Sequence, residues 1–371
     1  MGLGRAPHVL LLGSVLGQPV GGVWRHNREL LPRTARLLAA DGGSLTVLEG
    51  REPCAFELPE AVRRIQAHVP ARPPLRRALA EGHALRHALA QRAFDLVHTA
   101  HQPVPRGFDT PLSLLVHDLR HLDLEHSPFS RRLVTRELLG RAVRRAAVLS
   151  TVSQATAAVL REVLGLGEAP VHVVPNAADH FEPLPHAAAA DAPLLCVGHL
   201  EPRKNAALPI EALALDAGLP PVHFAGAAKG SEQERLEARA AELGVAGRVR
   251  FLGSVSDEEL LGLYAAAAAV VLPSRLEGFG IPVLEAQRCG APVAVSAIPA
   301  HLEVAAPDTP SFAPDDAAGC ARALRAALAR TESELDAARV DGERYRWERS
   351  AELLVRAWRA GADAGAQSSS S

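Results

Sequence analysis

Residues 269–296 read AVVLPSRLEGFGIPVLEAQRCGAPVAVS. AVVLPS (269–274) is a short continuous apolar run and predicts a strand buried on both faces. LEGFG is a glycine-rich turn, and IPVLEAQRC predicts a helix with Pro282 in its first turn, where proline is tolerated. Gly290 stops that helix and APVAVS (291–296) starts another strand. Gly278 and Gly280 let the backbone approach a ligand closely. The free N–H groups of Gly280 and Ile281 at the helix start form an anion site. Two carboxylates flank it. Glu285, one turn into the helix, suits ribose hydroxyls, although the helix dipole alone favours an acid there. Glu277 stands at the strand end, where reacting groups collect.

The same alternation runs outward in both directions. Strand candidates in the first half are 8–15, 44–49, 94–99, 112–117, 146–152 and 171–174. Those in the second half are 193–198, 221–226, 248–253, 269–274 and 291–296, with helical patterns between them. Continuous apolar strands separated by helices predict an α/β protein with parallel sheets covered on both faces. A length of 371 residues suits two such domains, each a doubly wound sheet, with a cleft between them. The expected boundaries are a first domain over 1–178, a Pro- and Ala-rich linker over 179–192, a second domain over 193–345, an amphipathic closing helix over 346–360 and a flexible tail over 361–371. Ser256 with Glu259 predicts a capping box, and Ser153 a helix cap.

Net charge is −2, so the total implies no nucleic-acid partner. Residues 1–180 carry 22 arginines against 16 acids, and residues 181–371 carry 18 basic residues against 26, which predicts two domains with different surfaces. Cys54, Cys196, Cys289 and Cys320 lack metal-ligand spacing and read as reduced thiols of a cytosolic protein. The apolar start, through HVLLLG, lacks the charged onset and cleavage pattern of a signal peptide and reads as a first strand.

A second motif joins the first. PLLCVG runs into GHLEPRKNAALPIEAL (198–213), which puts Arg203 and Lys204 at a helix start. A guanidinium and an ammonium there suit a diphosphate. The chain has only two lysines, Lys204 and Lys229, among 40 basic residues, so a lysine beside Arg203 stands out. Lys229 reads as a solvated residue at the start of a helix.

GHLEPRKN, followed some 70 residues later by PSRLEGFGIPVLEAQRCGAPVAVS, resembles the retaining glycosyltransferases of family four, glycosyl transferases group 1. Supporting pieces are GGVWRHNRELLPRTARLLA, LSLLVHDLRHLD, LSTVSQATAAVL, VVPNAAD, VRFLGSVSDEELLGLYAAA and PAHLEVA, so the resemblance covers about residues 8–360. It implies the GT-B fold: two Rossmann-like domains facing a cleft, with the C-terminal helix crossing back to the first. It also implies roles. Arg203, Lys204, Gly22, Gly280 and Ile281 would hold the donor diphosphate, with Gly21 beside Gly22. Glu285 would bind the ribose. Glu277, Gly278, Phe279 and Gly280 would face the donor sugar. His117, at the end of a first-domain strand, would contact that sugar near the reacting carbon, making His117 and Glu277 the catalytic pair; Asp118 would hold the loop. His98 and His101 are candidates for the acceptor side. His199 and Leu200, and RYRWERS before the last helix, depart from the usual pattern without touching the charged groups.

The function so implied is transfer of a hexose, mannose or glucose in type, from a nucleotide diphosphate sugar to a glycan, a lipid-linked acceptor or a small molecule. The alternative is a nucleotide-sugar-binding relative acting as an epimerase, a phosphorylase or a silent subunit. No Asp-x-Asp motif accompanies the site, so neither metal nor cofactor is expected, and the nucleotide sugar is a substrate. The expected location is the cytoplasm. The segment 131–147 carries six arginines and reads either as a solvated helix or as a peripheral contact with the inner face of a membrane.

Overall fold

The computed structural model describes residues 6–18, 21–119 and 129–368. They form two compact units, one of residues 1–176 with 346–371 and one of residues 177–345.

The first unit runs β1 (His8–Gly13), α1 (Gly21–Ala40), β2 (Ser44–Glu49), β3 (Arg63–Gln66), α2 (Pro74–Gln91), β4 (Leu96–Thr99), β5 (Leu112–Val116), α3 (Phe129–Arg145), β6 (Ala146–Thr151), α4 (Gln154–Leu164) and β7 (His172–Val173). Its parallel sheet has the order β3-β2-β1-β4-β5-β6-β7. Alternation along β1 sends Leu10 and Leu12 to the face where Leu85 of α2 packs. Ser153 caps α4 by accepting from the Thr156 amide, as its sequence predicts.

The second unit runs β8 (Leu194–Val197), α5 (Ala207–Leu215), β9 (Val222–Ala225), α6 (Glu232–Glu242), β10 (Val249–Gly253), α7 (Asp257–Ala266), β11 (Ala269–Leu272), α8 (Ile281–Arg288), β12 (Val293–Ser296), α9 (Pro299–Val304), β13 (Ser311–Phe312), α10 (Ala317–Leu328) and α11 (Glu332–Gly342). Its parallel sheet has the order β10-β9-β8-β11-β12-β13. Leu194, Phe224, Val271, Ala294 and Leu324 form its core. The capping box of Ser256 and Glu259 opens α7.

Both sheets reverse strand order beside their first strand, between β1 and β4 and between β8 and β11. Loops leaving such a pair diverge to opposite faces and open a crevice at the strand ends.

Two boundaries differ from expectation. The segment 179–192 is not a free linker but belongs to the second unit. His186 Nε2 donates to Ala267 O at 2.8 Å and the Ala187 amide to Ala265 O at 2.8 Å, so the chain passes between units at Asn176 and Ala177. The closing helix, α12 (Trp347–Ser368), belongs to the first unit and outruns its expected end at residue 360. GADAGAQ reads as a loose tail, yet its first glycine serves a close approach: a Cβ on Gly361 would stand 2.8 Å from Val148 Cγ2. Residues 369–371 of the expected tail lie outside the described residues. Trp347 and Trp358 of α12 are fully buried, and Trp358 Nε1 donates to His98 Nδ1 at 3.0 Å. No helix among the described residues is long and apolar enough to cross a membrane.

Candidate functional site

The loops after β8 and β11 flank the reversal in the second sheet. After β8 the chain passes Gly198, makes a 3-10 turn over Pro202–Lys204 and closes with Asn205 in the left-handed region at φ 53°. Asparagine tolerates that region, and its Nδ2 donates to Pro314 O at 2.7 Å. After β11 the chain runs through Ser274 and Glu277 to Gly280, the residue before α8, at φ 104°. That backbone favours glycine, and a Cβ there would also press within 3.1 Å of His301 Cδ2. The loops are tied together: the Arg275 amide donates to Arg203 O at 2.8 Å, and Arg203 Nη1 to Leu276 O at 3.0 Å.

The charges interlock across this junction. Glu277 accepts from Arg203 Nη1 at 3.1 Å through Oε2, and from Lys204 Nζ and the Ser274 hydroxyl through Oε1. Arg203 Nη2 also reaches Glu201 Oε1 at 2.6 Å, and Glu201 Oε2 takes Lys229 Nζ at 2.6 Å. Three cations thus meet two carboxylates, with one positive charge in surplus. Burial pushes the Glu277 carboxyl up, but Lys204 and then Arg203 outweigh it and hold it at about 2. Glu277 is therefore an anion across the working range of pH, and it pairs with the same two cations, Arg203 and Lys204, that the sequence assigns to phosphate.

His301, in the quoted PAHLEVA, adjoins the turn. Ser296 commits its hydroxyl proton to Ser274 O at 2.5 Å, so His301 Nδ1 is the donor to Ser296 Oγ at 3.0 Å and Nε2 is left as an acceptor. Burial lowers its pKa to about 4 despite the nearby Glu277, which keeps the ring neutral.

The other expected donor-site residues are placed differently. Glu285 is 4% exposed, with Oε2 accepting from Tyr264 Oη at 2.9 Å and Oε1 lying 3.3 Å from His180 Nε2. Phe279 turns its ring inward, edge-on to Tyr345 at 5.4 Å, so its share in a ligand site rests on main chain. Gly278 and Ile281 lie where the turn meets α8.

In the first unit, Gly21 and Gly22 open α1, and a Cβ at either would meet nothing within 4 Å. His117 and Asp118 follow β5. The His117 ring packs edge-on against His26 at 4.6 Å. His26 is buried, donates from Nδ1 to Asn176 Oδ1 at 2.8 Å, and is lowered to about 4 by burial against the opposing Asn176 bond. His98 does not face an open site: it is 2% exposed, with Nδ1 shared by Ser113 Oγ and Trp358 Nε1, each at 3.0 Å. His101 Nε2 lies 2.9 Å from Oε1 of the buried Glu81, which also accepts from Ser14.

Glu201, Ser274 and His301 adjoin these residues and were not singled out by sequence reasoning, and Lys229, expected to be solvated, is half-exposed and paired with Glu201. The rarity of lysine pointed at Lys229, but only the fold brings it onto Glu201.

Residues 20–180 match the family described as Glycosyltransferase Family 4, and residues 187–339 that described as Glycosyl transferases group 1. The glycogen synthase of Mycobacterium tuberculosis is 31% identical over 352 residues, covering 83% of this chain and 83% of that protein. The D-inositol 3-phosphate glycosyltransferase of Geodermatophilus obscurus is 40% identical over 183 residues, 46% of this chain and 40% of that protein, so the match spans less than half of that relative's length. Among solved structures, Anabaena Alr3699/HepE in complex with UDP-glucose superposes with a TM-score of 0.66 at 18% identity, over 94% of this chain and 98% of that one. Two parallel-sheet units of this topology, a relative matched over most of both chains, and a family match on each unit make the chain a member of the family-four, group 1 glycosyltransferases, with the GT-B fold.

Proposed function

We propose that the chain is a retaining hexosyltransferase that takes its sugar from a nucleotide diphosphate and gives it to a glycan, lipid-linked or small-molecule hydroxyl. The observation that carries this reading is the convergence of Arg203, Lys204 and the N-terminus of α8 at the strand reversal of the second sheet. The glycosyltransferase and glycogen synthase names of the two relatives, and the UDP-glucose in the Anabaena structure, support a nucleotide-linked hexose as donor. In the reaction the bond from the anomeric carbon to the phosphate oxygen breaks, and its electron pair leaves with the diphosphate. The acceptor oxygen forms the new bond and passes its proton to the departing phosphate oxygen. Charge grows on the diphosphate as the bond lengthens, and cations and amides already fixed in place stabilise it with little reorganisation. Glu285, one turn into α8 beside Tyr264, is the carboxylate assigned to the ribose hydroxyls.

Lys204→Ala tests the diphosphate assignment. A charge-assisted contact is worth roughly 1.5–3 kcal/mol, so nucleoside-diphosphate affinity should fall by about tenfold or more in a calorimetric titration. An unchanged affinity in a variant with a normal melting curve would remove Lys204 from the site.

With the positive charge built into the protein, turnover proceeds without a divalent metal. Activity should survive EDTA; full loss restored by magnesium or manganese would contradict this.

We place the enzyme in the cytoplasm, in contact with the inner face of the membrane through α3. Leu133 and Val134 are 57% and 58% exposed there, beside the exposed Arg136, Arg141 and Arg144. Apolar side chains among arginines suit an anionic interface. The protein should sediment with phosphatidylglycerol vesicles at low salt and less with phosphatidylcholine, and Leu133→Ser with Val134→Ser should release it. Equal sedimentation of variant and parent would make α3 a solvated helix.

A further inference from the structure

The first unit holds a cavity of about 590 Å³ between the first half of α1 and the loop after β2, lined by Trp24, Arg28, Glu29, Arg33, Phe56 and Glu57 among others. Its volume lies inside the ~300–1,000 Å³ usual for small-molecule sites. Trp24 and Phe56 form an aromatic corner, with ring centroids 6.0 Å apart and planes at 78°. The Arg28 guanidinium stands 5.3 Å from the Trp24 ring centre, and Arg33 Nη1 holds Glu29 Oε2 at 3.0 Å. The Trp24 indole N–H is buried with no hydrogen-bond partner among the described residues.

This lining is selective. Two arginines and two glutamates balance, so a free anion gains no net attraction. Four charged groups make the cavity poor for a wholly apolar ligand, which would strip them of water without replacing its hydrogen bonds. A neutral polyhydroxylated ring satisfies both kinds of wall. Its C–H face packs on the indole, and its hydroxyls donate to carboxylates and accept from guanidinium. From Trp24 to Arg33 the wall follows α1 for ~13 Å at the helical rise, which is longer than a single sugar ring.

We propose that this cavity is a subsite for an uncharged oligosaccharide, with Trp24 as its stacking platform. That the saccharide is the acceptor rests on the transferase reading; that the cavity binds one does not. Trp24 is also a reporter, because the other two tryptophans, Trp347 and Trp358, are fully buried.

The test titrates maltotriose and α-mannotriose into the full chain, with and without UDP or GDP, by calorimetry and by acrylamide quenching of tryptophan emission. A trisaccharide should shield Trp24 from the quencher and bind better than glucose. Trp24→Ala, and Phe56→Ala as a milder change, should weaken it by about tenfold and leave nucleotide affinity within a factor of two. A chain that binds nucleotide but neither trisaccharide, or variants that bind saccharide as the parent does, would overturn the subsite. Tighter binding of glucose 6-phosphate than of glucose would overturn its neutral character. Saccharide binding without any nucleotide binding would sink the transferase reading and leave the subsite standing.

Discussion

Glu277→Gln should lower kcat by about a hundredfold while nucleoside-diphosphate affinity holds or rises. The carboxylate sits between Arg203 and Lys204 and fixes both. Without its charge the two cations lose their common anchor, and a misplacement of ~1 Å at a reacting centre is enough for a hundredfold loss. The same change takes a negative charge away from the phosphate site, raising its surplus from one positive charge to two, so ground-state attraction for the diphosphate does not suffer. On the proposed assignment this accounts for an acid beside an anion site: Glu277 is the shared counter-ion that fixes Arg203 and Lys204. The pKa of about 2 adds a corollary, since an acid limb in the pH–rate profile near pH 5 would belong to another group. Parallel measurements of kcat and of calorimetric affinity decide the matter. A loss of nucleotide affinity equal to the loss of rate would mean that Glu277 only holds the loop.

His117→Ala should also lower kcat by about a hundredfold, with nucleoside-diphosphate affinity changed by less than about threefold, below 1 kcal/mol. The groups assigned to nucleotide and diphosphate binding come mainly from the second unit, whereas His117 follows β5 of the first, braced by the buried ring of His26. On the proposed assignment, removing its imidazole takes away a contact to the sugar without touching the base or the phosphates. His26 provides the control. It is neutral and bonded to Asn176, so His26→Asn should disturb the melting temperature before it disturbs chemistry. Near-normal turnover of His117→Ala, or lost nucleotide binding, would make His117 a packing histidine.

Most of the fold is legible because its strands are buried on both faces. SLTVLE matches β2 residue for residue, and AAVLSTV contains all of β6. RRIQ escapes because β3 is an edge strand with exposed side chains and has no apolar run to read. The two residues of β13 are too short for any periodicity. The placement of Arg203 and Lys204 at a strand end is legible too, since both follow an evident strand. Their pairing with Glu277, more than 70 residues away, is not, because it depends on β11 lying beside β8. Glu285 shows the opposite limit: position on a helix suggests a role, but only packing reveals that Tyr264 and His180 already engage it.

The return of α12 to the first unit has a consequence for biosynthesis. A ribosome finishes all of β8 to α11 before Trp347 and Trp358 emerge, so the unit begun first is completed last. Until then the nascent first sheet lacks the helix that buries both tryptophans and covers His98, and its apolar surface stays open while the later unit folds. In topological terms the second unit is an insertion within the first, and the segments on either side of it form one folding unit.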